Sequence, residues 1–130
     1  FADFDDDGDL DVVVNHVDHE ARAALLRNDT PRSTAGRDRH WVGFRLIGAG
    51  PRDAFGARLE IETSTNTLVR VHQPHTSYLS GNDPRVHFGL GELDRVPQLT
   101  VRWPSGRVQT WTDLPADRYW TLREGKEIDR

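Results

Sequence analysis

The sequence predicts an all-β protein whose main domain is an antiparallel sandwich or barrel. Three observations lead to this prediction. Apolar and polar residues alternate with a period of two in several short segments, which is typical of strands with one buried face. Turn-forming residues recur about every 8–15 positions between these segments, and no stretch of residues 40–125 sustains a helical periodicity.

The predicted strands follow one another through the second part of the chain. The first covers Trp41–Ile47, and the next two, Ala57–Thr63 and Thr67–His72, form a hairpin across a short polar turn. The remaining predicted strands cover residues 85–88, 98–103, 107–112 and 119–123. A turn at Pro104–Gly106 separates two of them, because proline presets φ and glycine tolerates a positive φ.

The first part of the chain has a different organisation. An apolar run covers Leu10–Val14, and a second element, Glu20–Leu26, is ambiguous because its composition favours a helix although seven residues make a short one. The polar residues 31–39, with proline, glycine and arginine, are typical of a linker. The chain begins without a methionine and enters a motif at once, so we interpret it as a piece of a longer protein.

Charge is distributed unevenly along the 130 residues. The first 20 residues hold eight of the 21 acidic residues and none of the 17 Lys and Arg, so they carry −8, whereas the remainder sums to +4. The absence of cysteine excludes disulfides, thiolate zinc sites and cysteine nucleophiles. No apolar run approaches the roughly 18 residues of a membrane span, and no signal peptide is recognisable.

The acidic segment contains a candidate calcium loop. Residues 3–11 read Asp-Phe-Asp-Asp-Asp-Gly-Asp-Leu-Asp, which fits the pattern D-x-D-x-D-G-x-x-D. Calcium takes six to eight hard oxygen ligands, and a tight loop can present them from alternate residues if a glycine allows the bend. The predicted ligands are the carboxylates of Asp3, Asp5, Asp7 and Asp11 and the backbone carbonyl of Asp9. Gly8 makes the turn, and Asp6 points outward.

Two comparisons sharpen the interpretation of this loop. It differs from an EF-hand because Val14 stands where a bidentate Glu is required and because a strand, not a helix, follows. The alternative is a solvated acidic loop without an ion. Six neighbouring carboxylates repel one another by about 1 kcal/mol per close pair even in water, which favours a bound cation.

Two segments resemble known families. Phe4–Val14 resembles the calcium loop and following strand of an FG-GAP (VCBS-type) repeat, the blade unit of integrin-like β-propellers. From about residue 40 to 125 the chain resembles the ASPIC/UnbV domain, and the matching segments are His40–Leu46, Arg52–Arg58, Ser77–Gly91 and Val101–Arg107. The CRTAC1-like family combines several FG-GAP repeats with this domain at the C-terminus.

This resemblance implies a division of the chain and a setting for it. Residues 1–30 would be the C-terminal part of an FG-GAP (VCBS-type) repeat, and residues 31–39 would be a linker. Residues 40–125 would form the ASPIC/UnbV-like β domain, and residues 126–130 would be a tail. Leu25–Asn28 would then be a blade strand, so the fold is an all-β domain preceded by a fragment of a propeller blade. The family implies bound Ca²⁺, upstream propeller repeats of the same chain as partners, and an extracellular or exported location.

A second candidate site lies in the loop before the strand at 85–88. Turn-forming residues and glycines in Tyr78–Gly91 indicate either a structural corner or a ligand-facing loop. The ligand-facing residues would be Tyr78, Ser80, Asn82 and Arg85.

Other combinations of residues give little support for a metal, catalytic or nucleic-acid site. The pairs His16/His19 and His72/His75 lack a helix that would place them on one face, and Ser80, His75 and Asp83 lack a nucleophile elbow. His87 is predicted to face away from its apolar neighbours. The 16 arginines are scattered and the tryptophans lie in strand patterns, so nucleic-acid binding is not predicted.

The leading hypothesis is a non-enzymatic, calcium-dependent recognition or adhesion protein, in which the β domain caps the propeller or binds a protein or glycan partner. One alternative is an enzyme or accessory factor in polysaccharide or natural-product metabolism, which a concave pocket with convergent polar groups would favour. The other alternative is a glycan-binding module.

Overall fold

The computed structural model describes residues 1–16, 22–30, 33–34, 37–50, 53–73 and 75–128. The strands in these residues are β1 (Val12–Val14), β2 (Ala24–Leu26), β3 (Ser33–Thr34), β4 (Arg37–Asp38), β5 (His40–Ile47), β6 (Arg58–Glu62), β7 (Thr67–Val71), β8 (Val86–Gly91), β9 (Arg95–Arg102), β10 (Val108–Pro115) and β11 (Arg118–Arg123). No helix in this part of the chain has the length and apolar character that crossing a membrane requires. The predicted all-β class is confirmed.

Two sheets form the main domain as a sandwich rather than a closed barrel. The first has the order β10-β9-β6-β7 and is antiparallel throughout. The second has the order β11-β5-β8, in which β8 is antiparallel and β11 parallel to β5. The parallel pair arises because the chain changes sheet after β10 instead of making a hairpin. The backbone N–H of Asp117 then donates to the carbonyl of Trp41 (2.7 Å), which sets β11 beside β5.

The core lies between the two sheets and follows the predicted period of two. In β5 and β8 every second side chain points inward, and Phe44 meets Phe88 edge-on with ring centroids 6.0 Å apart. The buried apolar side chains of this core cluster are Val42, Phe44, Leu46, Ala54, Ala57, Leu59, Ile61, Val86, Phe88, Leu90, Val96, Leu99, Val101, Trp103, Leu114, Ala116, Trp120 and Leu122. This cluster draws on both sheets, so either sheet alone would leave it exposed to water.

Both predicted turns are confirmed. In the β6–β7 hairpin the Thr63 hydroxyl accepts the N–H of Asn66 (3.0 Å) and the Thr63 N–H donates to the Asn66 carbonyl (2.9 Å). In the turn before β10, Gly106 has φ 91° and its N–H donates to the carbonyl of Trp103 (2.9 Å).

The first part of the chain forms a small antiparallel ribbon. β1 pairs with β2, with Val12 opposite Leu26. A strand is therefore observed where Leu25–Asn28 was predicted, but it begins one residue earlier and ends two residues earlier, at Leu26. Pairing with β1 overrides the helical propensity of this segment. Glu20, the first residue of the ambiguous element, lies outside the described residues. Within the predicted linker, β3 pairs with β4 over two residues each.

The outer face of the three-stranded sheet positions the candidate site. Tyr119 on β11 lies opposite Gly43 on β5, and Gly43 lies opposite His87 on β8, so the three form one row across the sheet. His87 thus faces away from Val86 and Phe88, as predicted. This face is not open to solvent, however, because Trp41 and Gly43 on it are buried.

Phe44→Ala tests the core. We expect a loss of about 3–5 kcal/mol in the free energy of unfolding, because the substitution leaves a cavity between the sheets. Urea denaturation measures it, with the exposed Val108→Ala as a control that should stay within about 0.5 kcal/mol of the wild type. If Phe44→Ala does not fold, Phe44→Leu should give a smaller loss. A wild-type midpoint for either Phe44 variant would contradict this packing.

Candidate metal centre

The acidic segment folds into a closed loop. The backbone groups of Ala2 and Asp11 exchange hydrogen bonds of 3.2 and 2.7 Å, which bring the two ends of the loop together. Between them the chain reverses through Asp6 (φ 57°) and Gly8 (φ 93°), both in the left-handed region that favours glycine. The glycine is thus where the predicted loop template requires it.

Asp3 is a carboxylate of the loop with three hydrogen-bond donors around it. Its side chain accepts the N–H of Asp7 at Oδ1 (3.0 Å) and the N–H of Gly8 at Oδ2 (2.9 Å). The hydroxyl of Tyr119 donates to the same Oδ2 (2.5 Å). Asp3 is 2% exposed, so these donors replace the water that a buried carboxylate loses. Burial and then this bond raise the pKa of Tyr119, which keeps its hydroxyl protonated.

Asp11 is held by the ribbon instead. Its Oδ1 accepts the N–H of Asn28, which follows β2 (2.8 Å), and its Oδ2 accepts the N–H of Phe4 (2.9 Å). These two bonds, Asn28 first, lower the pKa of Asp11. Asp11 is 2% exposed and remains a carboxylate at neutral pH.

Three of the four predicted carboxylate ligands converge. Oxygen atoms of Asp3, Asp5 and Asp11 all lie within 4.8 Å of one another. Asp7 instead accepts the N–H of Asp9 at its carboxylate (2.9 Å), and neither of these two side chains joins that cluster. Three carboxylates around one point form a hard, strongly negative donor set, which is the chemistry that Ca²⁺ prefers. The residues present therefore fit a hard divalent cation.

Two arginines neutralise part of the negative charge of the acidic loop. Arg27 lies 3.0 Å from Asp5 and also pairs with Asp29, and these carboxylates, Asp29 first, raise the pKa of Arg27. On the other side of the loop, Arg85 pairs with Asp6, which is exposed as predicted. The acidic loop is thus flanked by positive charge from two different parts of the chain.

Arg85 makes four contacts at once. Its guanidinium donates to the carboxylate of Asp83 (2.7 Å), to Asp6, and to the backbone carbonyl of Asp3 (2.7 Å). It also lies over the ring of Tyr119, 3.9 Å from the centroid. The bond to Asp83 is the main reason that the pKa of Arg85 is raised. This residue of the predicted ligand-facing loop therefore faces the acidic loop.

Gly8 lies directly on the indole of Trp41. A Cβ atom at Gly8 would stand 1.9 Å from Nε1 of Trp41, so no other residue fits without movement. His87 stacks on Trp41 with centroids 5.6 Å apart, and its Nε2 donates to the carbonyl of Gly8 (2.8 Å). Burial lowers the pKa of His87.

Gly43 makes the equivalent close approach within the sheet. A Cβ atom there would lie 2.0 Å from Cε1 of Tyr119, so the tyrosine ring crosses the strand at a point where only glycine leaves room. We call the surface formed by Trp41, Gly43, Arg85, His87 and Tyr119 the platform. The acidic loop rests on it.

Sequence reasoning missed the role of the platform. It placed His87 outward and the tryptophans in strand patterns, and it did not single out Tyr119. The available signal was a glycine at position 43 inside a strand, together with aromatic side chains at outward positions of neighbouring strands. Such a combination indicates that another part of the chain covers that face.

The rest of the predicted ligand-facing loop is more exposed. Tyr78 is 88% and Leu79 87% exposed, and Leu79 has φ 52°. The hydroxyl of Ser80 donates to the carbonyl of Tyr78 (3.2 Å), and the amide of Asn82 donates to the hydroxyl of Thr76 (2.5 Å). Ser80 and Asn82 thus hold the loop, whereas Tyr78 and Leu79 project from it.

The histidine and triad combinations form no catalytic geometry. His19 lies outside the described residues. His75 bonds the backbone carbonyl of Ser80 (2.9 Å) rather than its hydroxyl, and Asp83 is paired with Arg85. The described positions of His75, Ser80 and Asp83 therefore do not make a Ser-His-Asp triad.

A cavity of about 500 Å³ lies elsewhere, beside the end of β5. Its described lining includes Arg45, Asp53, Phe55 and His72 but no Ser, Thr, Cys or Lys. His72 is 4% exposed, and among the described residues neither of its ring nitrogens has a hydrogen-bond partner. Because both nitrogens are sealed from solvent, they do not reach the cavity.

Known proteins match most of the chain. A family model described as ASPIC and UnbV matches residues 48–129, and this match does not reach the acidic loop. Cartilage acidic protein 1 of Xenopus tropicalis is 31% identical over 112 residues, which are 84% of this chain and 16% of that protein. The Homo sapiens protein of the same name is 30% identical over 113 residues, which are 82% and 16%. The chain therefore spans about one sixth of the length of these curated relatives.

Gly8→Ala tests the close approach of the loop to Trp41. We expect the free energy of unfolding to fall by about 1–2 kcal/mol from the positive φ and by about 1–3 kcal/mol more from the overlap with the indole. Urea denaturation and tryptophan fluorescence measure the loss. Gly106→Ala is the matched control, because Gly106 also has a positive φ (91°) but open space around it. Equal losses in the two variants would show that the loop does not rest on Trp41.

Proposed function

The chain belongs to the ASPIC and UnbV family, and we propose that it is a calcium-binding, non-enzymatic recognition module of an exported, extracellular protein. One observation carries the metal part of this proposal: the carboxylates of Asp3, Asp5 and Asp11 converge on a single point although two of them are buried. Buried like charges at this separation repel one another, and a bound cation would neutralise the charge that the surrounding N–H donors leave in place. In the bound state Asp7 and the carbonyl of Asp9 would complete the ligand set.

The ribbon supports the proposal that residues 1–30 end an FG-GAP (VCBS-type) propeller repeat. Val13, Val14, Leu25 and Leu26 are exposed on β1 and β2, and a two-stranded ribbon is marginally stable in water unless further strands or a packed face support it. Upstream propeller repeats of the same chain would provide both. The curated relatives are long enough to hold them, because this chain spans 16% of their length.

The projecting loop supports a role in recognition or adhesion. Tyr78 and Leu79 together present an aromatic and an aliphatic side chain to solvent, held by a bridge between Ser77 and Ser80. Exposed apolar groups on a loop braced by its own hydrogen bonds suit a partner surface. The partner would be a protein. Glycan binding is the second candidate, since an exposed tyrosine ring can stack on a sugar, and loss of glycan-array signal in Tyr78→Ala would distinguish it.

Asp5→Asn tests the metal proposal without disturbing the fold of the loop, because Asp3 and Asp11, not Asp5, accept its backbone N–H groups. We expect Ca²⁺ affinity to fall at least about tenfold, since about 1.4 kcal/mol corresponds to one lost charge near a divalent ion in a partly screened site. Isothermal titration calorimetry of the 130-residue chain measures it. Terbium luminescence sensitised by Trp41 provides an independent readout.

Two further variants sharpen this test. Arg27→Gln should raise Ca²⁺ affinity severalfold, because the guanidinium next to Asp5 competes with the ion. Asp94→Asn, an exposed acid on the β domain, should leave affinity unchanged. Absence of calcium-dependent heat and of terbium luminescence in the wild type, with no shift of the melting temperature on adding chelator, would reject the proposal.

A further inference from the structure

We infer that Tyr119 and Arg85 are positioning residues for the metal loop, so that cation binding clamps the acidic ribbon onto the β domain. The inference rests on the proposed calcium site, because it assigns to that site the task of joining two parts of the chain. Its basis is the way in which the three converging carboxylates are attached to the rest of the molecule.

Asp3 is attached to the β domain. Tyr119, on β11, donates to its carboxylate, and Arg85, just before β8, donates to its backbone carbonyl. Tyr119 is itself held in place, because its ring crosses Gly43 on one side and lies under the guanidinium of Arg85 on the other. Any movement of the platform relative to the loop therefore displaces Asp3.

Asp11 is attached to the ribbon. Its carboxylate accepts the N–H of Asn28, the second residue after β2, and its backbone pairs with Ala2. The donors to Asp11 thus come from the first 30 residues, whereas Tyr119 and Arg85 come from the part of the chain that the family model matches, residues 48–129. A cation coordinated by both carboxylates would bridge the two units at one point.

Linkage gives this arrangement a measurable consequence. If docking of the loop onto the platform brings Asp3 into position, docking raises cation affinity, and the cation must stabilise docking by the same factor. Partners that orient a metal ligand from outside the coordination sphere change affinity by about 10–100-fold in known metal sites. The hydroxyl of Tyr119 meets that description.

Removal of the Arg85 guanidinium should change Ca²⁺ affinity in opposite directions, depending on whether its charge or its positioning of Asp3 dominates. Its positive charge lies against the loop, so removing it should raise Ca²⁺ affinity if charge alone matters. If Arg85 instead holds the Asp3 backbone and the Tyr119 ring, removing it should lower the affinity. The sign of the change therefore separates the two roles.

The test uses the 130-residue chain and compares Tyr119→Phe with Tyr78→Phe, a matched control at an exposed tyrosine. We expect Ca²⁺ affinity by calorimetry to fall about tenfold in Tyr119→Phe and to stay unchanged in Tyr78→Phe. In hydrogen exchange of the wild type, Ca²⁺ should protect amides of β8 and β11 as well as the loop, and Asp5→Asn should remove that protection. Arg85→Gln should lower affinity, with Arg102→Gln as its exposed control.

The outcomes distinguish this inference from the proposed function. Calcium binding by the wild type with unchanged affinity in Tyr119→Phe, or with unchanged or higher affinity in Arg85→Gln, would overturn the clamp and leave the calcium site standing. Absence of calcium binding by the wild type would overturn both. If Tyr119→Phe fails to fold, as judged by circular dichroism without calcium, the Arg85→Gln result and the exchange pattern of the wild type decide.

Discussion

Neutralisation of the acidic loop is the constraint on which the arrangement of the first 30 residues depends. Carboxylates packed this closely cannot be buried without donors or counter-charges, because each would lose its hydration without compensation. The structure supplies backbone N–H groups from within the loop and from the ribbon. It then adds Arg27 on one side and Arg85 with Tyr119 on the other. The loop therefore keeps its shape by contact with both halves of the chain.

This constraint explains features of the β domain that core packing alone does not require. A sandwich needs apolar residues between its sheets, and β5 and β8 provide them at alternate positions. It does not need glycine at position 43, or a tyrosine hydroxyl directed away from the core. Both become intelligible because the acidic loop covers that face. The outer face of the three-stranded sheet is thus a second packing surface, with a polar partner.

The fold was largely predictable from the sequence, because a period of two and turn chemistry act locally. Residues 67–71, for example, pair with 58–62 as the alternation and the turn between them require. The parallel pairing of β11 with β5 was not predictable, since it depends on the chain changing sheet near Asp117. In the site, the template identified the carboxylates of the loop, because their spacing is local. It could not identify Tyr119, which meets Asp3 across 116 positions through a register that no local pattern encodes.

Arg85 shows a physical reason for an arginine rather than a lysine at one position of this arginine-rich chain. With 16 arginines and one lysine, the chain has positive charges that are scattered in sequence and carry no motif. At position 85, however, one side chain bonds two carboxylates and a backbone carbonyl while its Cζ lies over an aromatic ring. A planar guanidinium with five donors can satisfy all of these at once, whereas a lysine ammonium, with three donors and no flat face, cannot. The −8 segment and the +4 remainder are therefore not independent surfaces. They meet at a residue whose geometry, as well as its charge, joins them.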